Sequence, residues 1–190
     1  MTSSARRKQR KAEEKARRKA DRETPTLELD YHPGALAYHG PVINTDLTIG
    51  ESHKEALVLA GKPIPDPVRC RFLIDTGADG SLVGHEFAER AGLKLINPNA
   101  PIGGIGIDST GRTYLGRIVF IVPSRSLAGV AHGVAIDTQI AGCTLRPEVA
   151  ERIDGLIGRD VLQHFELTYN GKTGKLTMRF LKDRSVINLS

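Results

Sequence analysis

Polar and apolar positions along this chain fall into short runs broken by Gly and Pro, and few runs keep a helical period. Residues 42–49 (VINTDLTI) read as a strand, and residues 56–60 (ALVLA) predict a second one. A Pro-rich connection, 61–67, leads into 68–74 (VRCRFLI), which alternates and then turns continuously apolar. Residues 81–83 predict a further short strand, and 86–91 a short helix stopped by Gly92. A glycine-rich apolar arm, 100–107, precedes a turn at 108–111 and a strand at 113–122, the signature of a hairpin. Strand character returns at 129–140. A Pro-initiated helix is expected at 147–153, and 155–162 read as a buried strand turning into a short helix. Residues 165–169 and 175–181 flank the turn 170–174 as a closing hairpin. Short strands with Gly/Pro punctuation and a few brief helices predict an all-β barrel or sandwich.

Charge refines the boundaries. The formal net charge is +5, but residues 1–24 hold ten Lys/Arg and four Asp/Glu, whereas the rest holds seventeen and eighteen. All the excess positive charge therefore sits in a leader with almost no large apolar side chains, which cannot bury enough surface to fold alone. Residues 1–24 are expected to be a disordered basic leader. Contact with nucleic acid is the less favoured reading of it. Residues 25–40 read as a linker, 41–182 as one domain and 183–190 as a tail. No run approaches the ~18 apolar residues of a membrane span, and no secretory h-region is present. Cys70 and Cys143 make no motif and read as reduced residues of a cytoplasmic protein. No metal or cofactor motif stands out. The glycines at 103, 104 and 106 lack the strand–loop–helix setting and following Lys of a phosphate loop.

The chemistry concentrates at Asp75-Thr76-Gly77-Ala78-Asp79, where the apolar strand ends abruptly on an acid. A carboxylate against an apolar strand is costly to bury unless it is paired, hydrogen-bonded or protonated. Asp75 is therefore either a turn cap or a working acid. Gly77 is expected to permit the sharp turn.

Two separated segments decide between these readings. Leu73-Ile-Asp75-Thr76-Gly77-Ala78-Asp79 resembles the catalytic loop of the retropepsin-like (retroviral-type) aspartic peptidases, in their bacterial-type, single-lobed form. Gly155-Leu156-Ile157-Gly158-Arg159-Asp160-Val161-Leu162 resembles the same family's second signature. A glycine-rich hairpin lies between them, where the family carries its flap. The resemblance implies an all-β, single-lobed acid-protease barrel, active as a homodimer on extended peptide or protein substrates, without metal or cofactor.

Peptide hydrolysis needs a base to activate water and an acid to protonate the leaving nitrogen. Two close carboxylates sharing one proton supply both. One chain supplies one such aspartate, so the resemblance implies a dyad of Asp75 with its symmetry mate. By the same resemblance Thr76 braces the paired loops, Ala78 completes the loop, and Gly77 and Asp79 meet substrate main chain. Arg159 pairs with Asp79 to brace the loop, Ile157 meets substrate, and Ile102, Gly103, Gly104, Ile105 and Gly106 form the closing flap. Asp137, with Gln139 in place of the turn glycine, is read as structural, and 108–111 as the flap tip. Two alternatives stand beside the peptidase: a non-catalytic dimeric peptide-binding module of the same fold, and a latent protease whose leader must be trimmed.

Overall fold

In a computed structural model, the described residues are 24–104 and 107–181, together with 6, 7, 11, 12, 14 and 15 of the leader. Side chains at 104 and 107–109 are not among those described, and most of the leader and the 183–190 tail lie outside. The chain runs β1 (Thr26–Asp30), α1 (Pro33–His39), β2 (Val42–Thr48), α2 (Glu51–Leu59), β3 (Val68–Ile74), β4 (Leu82–Gly84) and α3 (His85–Arg90). It continues with β5 (Lys94–Gly104), β6 (Ile107–Pro123), β7 (Ala131–Cys143), α4 (Pro147–Ala150), β8 (Gly155–Ile157), α5 (Arg159–Leu162), β9 (Phe165–Asn170) and β10 (Lys175–Phe180).

Strands β2-β3-β8-β4-β7-β6 form a ring, closed by a second pairing of β2 with β6, and β5 hangs on β6 outside it. The all-β, single-lobed expectation therefore holds. The strand pattern explains why the core lies inside the ring. In β3 the period of two sends Val68, Cys70, Phe72 and Ile74 inward, leaving Arg71 and Leu73 on the outer face. Ile118, Phe120, Ile140 and Ile157 meet them from β6, β7 and β8. A smaller sheet, β1-β10-β9, packs on this barrel through Phe165, which stacks edge-to-face on Phe120 at 4.9 Å and on Phe180 at 5.7 Å. Among the described residues no helix is long and apolar enough to cross a membrane.

Three expectations differ from what is observed. Residues 25–40 are not a bare linker. Thr26–Asp30 pair antiparallel with β10, and Pro33 opens α1, with His32 Nδ1 accepting from the Gly34 N–H. This strand spans five residues, and its partner lies at the other end of the chain, so no local pattern announces it. Residues 56–59 are the end of α2, with Ala60 as its cap, rather than a strand. A short apolar run does not distinguish helix from strand, and here only Leu57 packs against the core while Val58 and Leu59 are 60% and 89% exposed. Finally, 108–111 are not the hairpin tip. They lie inside β6, paired with Ala100–Gly103, and the pairing continues to Gly104 with Ile107.

Candidate active site

β8 lies between β3, to which it runs parallel, and β4, to which it runs antiparallel. This interleaving brings the two sequence-distant signatures side by side. β3 ends as the Asp75 N–H donates to the Ile157 carbonyl at 3.0 Å, and the chain then turns. The Asp75 carboxylate is half-buried and caps its own turn, with Oδ1 accepting from the Gly77 N–H at 2.9 Å. Gly77 lies in this turn. Its backbone is not left-handed, and a Cβ there would stand 3.1 Å from the Asp75 oxygen.

The second signature clasps this loop from behind. Arg159 donates through Nη1 to the carbonyls of Thr76 and Gly77, both at 3.0 Å, and its guanidinium pairs with the Asp79 carboxylate. Its own backbone N–H meets the Ala78 carbonyl at 2.9 Å, and that of Asp160 meets the Asp79 carbonyl at 3.2 Å. Gly158 lets the two backbones touch, since a Cβ there would lie 2.5 Å from the Gly80 carbonyl. Asp75, Thr76, Gly77, Ala78, Asp79 and Arg159 are thus assembled into one cluster.

Other residues of this cluster escaped the sequence reading. Ser81, 1% exposed, accepts the Gly158 N–H at 3.1 Å and donates to Asp160 Oδ1 at 2.8 Å. Thr138 donates to the other Asp160 oxygen at 2.7 Å, tying β7 to the loop. A hydroxyl two residues past Asp79 and an acid after Arg159 were the only signals. Behind β3, Arg71 holds the buried Asp154 through Nε (3.2 Å), Nη2 (2.7 Å) and its backbone N–H (2.7 Å). That carboxylate holds the Arg71 guanidinium above its usual range, chiefly by hydrogen bonding. Asp137 is gripped by Arg117 through two contacts of 2.8 Å, while Glu51 takes a third at 2.7 Å. Hydrogen bonding to Asp137 likewise raises Arg117. The neighbouring carboxylates of Asp79, Asp137, Asp154 and Asp160 are all engaged by other side chains. Among the described residues, Asp75 has no cation on it.

Ile157 does not face this site. It is 0% exposed, with its side chain in the core. Its neighbour Leu156, registered against Leu73, shares the outer strand face of Asp75, and both leucines are half-buried there. The surface beside Asp75 is therefore leucine pair, not Ile157. Ile102, Gly103 and Gly104 lie in the β5–β6 hairpin, paired with Ser109, Asp108 and Ile107, whereas Ile105 and Gly106 lie outside the described residues. Among the described residues, none of the three hydrogen-bonds to the 75–80 loop. No group of three or more His, Cys, Asp or Glu among the described residues is placed to hold a metal ion.

A family model described as Aspartyl protease matches residues 59–161, a span that holds the first signature, the second as far as Val161, and the hairpin between them. Among solved structures, the chain is similar to a retropepsin-like aspartic protease from Rickettsia conorii, at 13% identity, over 83% of this chain and 94% of that one, with a TM-score of 0.43. No curated protein matches the sequence.

Proposed function

The chain belongs to the aspartyl protease family, and from that premise we propose that it is an endopeptidase whose site is completed by a second copy of itself. The observation carrying this reading is the state of Asp75. It sits at a strand end on a clasped loop, where among the described residues only the Gly77 N–H caps it, while the surrounding carboxylates are committed elsewhere. One carboxylate cannot be both base and acid in the same step. A second Asp75 across a twofold axis supplies the missing group, and the two then share one proton because like charges about 3 Å apart do not both ionise.

In this reading one carboxylate takes a proton from water as it attacks the scissile carbonyl, and the other donates a proton to the leaving nitrogen. Thr76 braces the paired loops, and Gly77 and Asp79 meet the substrate main chain. Arg159 keeps the loop from yielding when substrate pulls on it. Leu73 and Leu156 offer apolar surface to a side chain beside the cleaved bond, and the β5–β6 hairpin closes over the substrate and excludes water. Two free cysteines, Cys70 buried and Cys143 half-buried, suit a cytoplasmic setting.

The test compares wild type with Asp75→Asn against a mixed peptide library from about pH 4 to 7.5, a range bracketing single protonation of a coupled pair. Cleavage products, read by mass spectrometry, should come from wild type alone. Equal cleavage by both proteins would remove Asp75 from the mechanism. Peptide binding without turnover at any pH would turn the protein into a binding module of this fold.

A further inference from the structure

Beside the Asp75 face lies a cationic–aromatic patch that the peptidase reading does not use. The chain from α1 to β2 runs against the end of β3: a Cβ on Gly40 would stand 2.7 Å from Leu73 Cδ1, and the Ile74 N–H donates to the Pro41 carbonyl at 2.9 Å. The last turn of α1 therefore sits at the rim beside Leu73 and carries Tyr38 and His39. Tyr38 is 79% exposed, so its ring face is open to a neighbouring cation.

Arg152 reaches the same spot from the other side. It follows α4, two residues before Asp154, whose N–H donates to the Arg71 carbonyl at 2.8 Å, and four before Leu156, the partner of Leu73. Its guanidinium lies over the Tyr38 ring, 5.7 Å from the centroid, and it hydrogen-bonds His39 Nδ1. The Tyr38 and His39 rings meet edge-on at 4.8 Å and 88°. Among the described residues no carboxylate lies within ion-pair range of Arg152. The exposed guanidinium is thus contacted by a ring and an imidazole, with no carboxylate among the described residues to answer its charge. A guanidinium has five N–H donors, and with one directed to His39 the others remain for a carboxylate.

We propose that Arg152, oriented by Tyr38 and His39, is a specificity residue that receives an acidic side chain of the substrate. The proposal rests on the peptidase reading above. Leu73 precedes Asp75 by two residues, about 7 Å of strand, and the patch lies at and beyond Leu73. An extended substrate would present the acidic side chain roughly two to four residues from the cleaved bond.

The experiment uses amidated peptides that wild type cleaves, made in pairs with Glu or Gln at each position within four residues of the cut. The readout is the ratio of kcat/KM for Glu over Gln, in which any general loss of activity cancels. Wild type should favour Glu by about 3- to 10-fold at one position, and that ratio should shrink as salt rises from low to high concentration. Arg152→Gln should bring it to about one, whereas Arg152→Lys should keep part of it. No acidic preference at any position in wild type, or a preference that survives Arg152→Gln, overturns the proposal while leaving the peptidase intact. If wild type cleaves nothing, the peptidase reading has failed separately. Glu/Gln pairs built on library peptides that bind the Asp75→Asn protein then give the ratio of affinities without turnover, and equal affinities, or no peptide bound, overturn the proposal there too.

Discussion

Removing one oxygen atom should loosen the whole loop. Ser81 is 1% exposed, and its hydroxyl does two jobs: it accepts the buried Gly158 N–H at 3.1 Å and donates to Asp160 at 2.8 Å. Ser81→Ala leaves almost no cavity, so the cost is nearly all polar. A buried N–H left without an acceptor costs about 1–3 kcal/mol. The lost bond to Asp160 adds about 1 kcal/mol, because Thr138 still donates to the other oxygen at 2.7 Å. The expected loss is about 2–4 kcal/mol, or a fall of roughly 5–12 °C in Tm for a domain of this size. Thr138→Ala, at a half-exposed position with no buried donor behind it, should cost about 1 kcal/mol or less. The measurement is urea unfolding followed by far-UV circular dichroism, at one protein concentration because self-association would add to stability. A loss under 0.5 kcal/mol for Ser81→Ala would refute the reasoning, and so would equal losses for the two variants. The same variant should also lower peptide cleavage, since Gly158 and Arg159 are carried on the segment it releases.

Two further outcomes follow from the same geometry. Arg159→Met removes the contacts to the Thr76 and Gly77 carbonyls and to Asp79; because the side chain is 53% exposed, stability should fall by only ~1 kcal/mol. Cleavage should fall far more, about 10–100-fold in kcat/KM, through a misplaced loop, and a change under twofold would end the bracing role. Burial pushes Cys70 and Tyr31 each up to about 12, and Tyr31 also donates to the Val42 carbonyl at 2.9 Å. Folded values above unfolded ones mean that the native state holds these protons longer. Their stabilisation is therefore complete below about pH 9 and is lost progressively as pH rises toward 12. Denaturation midpoints should drop across pH 9–11, more steeply in wild type than in Tyr31→Phe, and a flat profile would contradict this.

What the sequence determined by itself was whatever depends on neighbours in the chain. Apolar alternation in 68–74, the acid and glycine that end it, and the order of apolar pair, glycine and arginine within Gly155–Leu162 are local facts. They were enough for the barrel class and for the cluster around Asp75. Tertiary structure decided what depends on residues far apart meeting. Residues 26–30 become a strand only because β10 accepts them, about 150 residues later. Residues 56–59 are helical because no neighbouring strand pairs with them and Arg117, from β6, holds Glu51 at the helix start. Whether Leu156 or Ile157 faces Asp75 turns on a single step of strand register, which inverts every side chain. Ser81, Thr138 and Asp160 converge from three separate segments, and Tyr38 meets Arg152 across 114 positions. Such contacts are set by how β8 is threaded between β3 and β4, an arrangement that no stretch of the chain encodes alone.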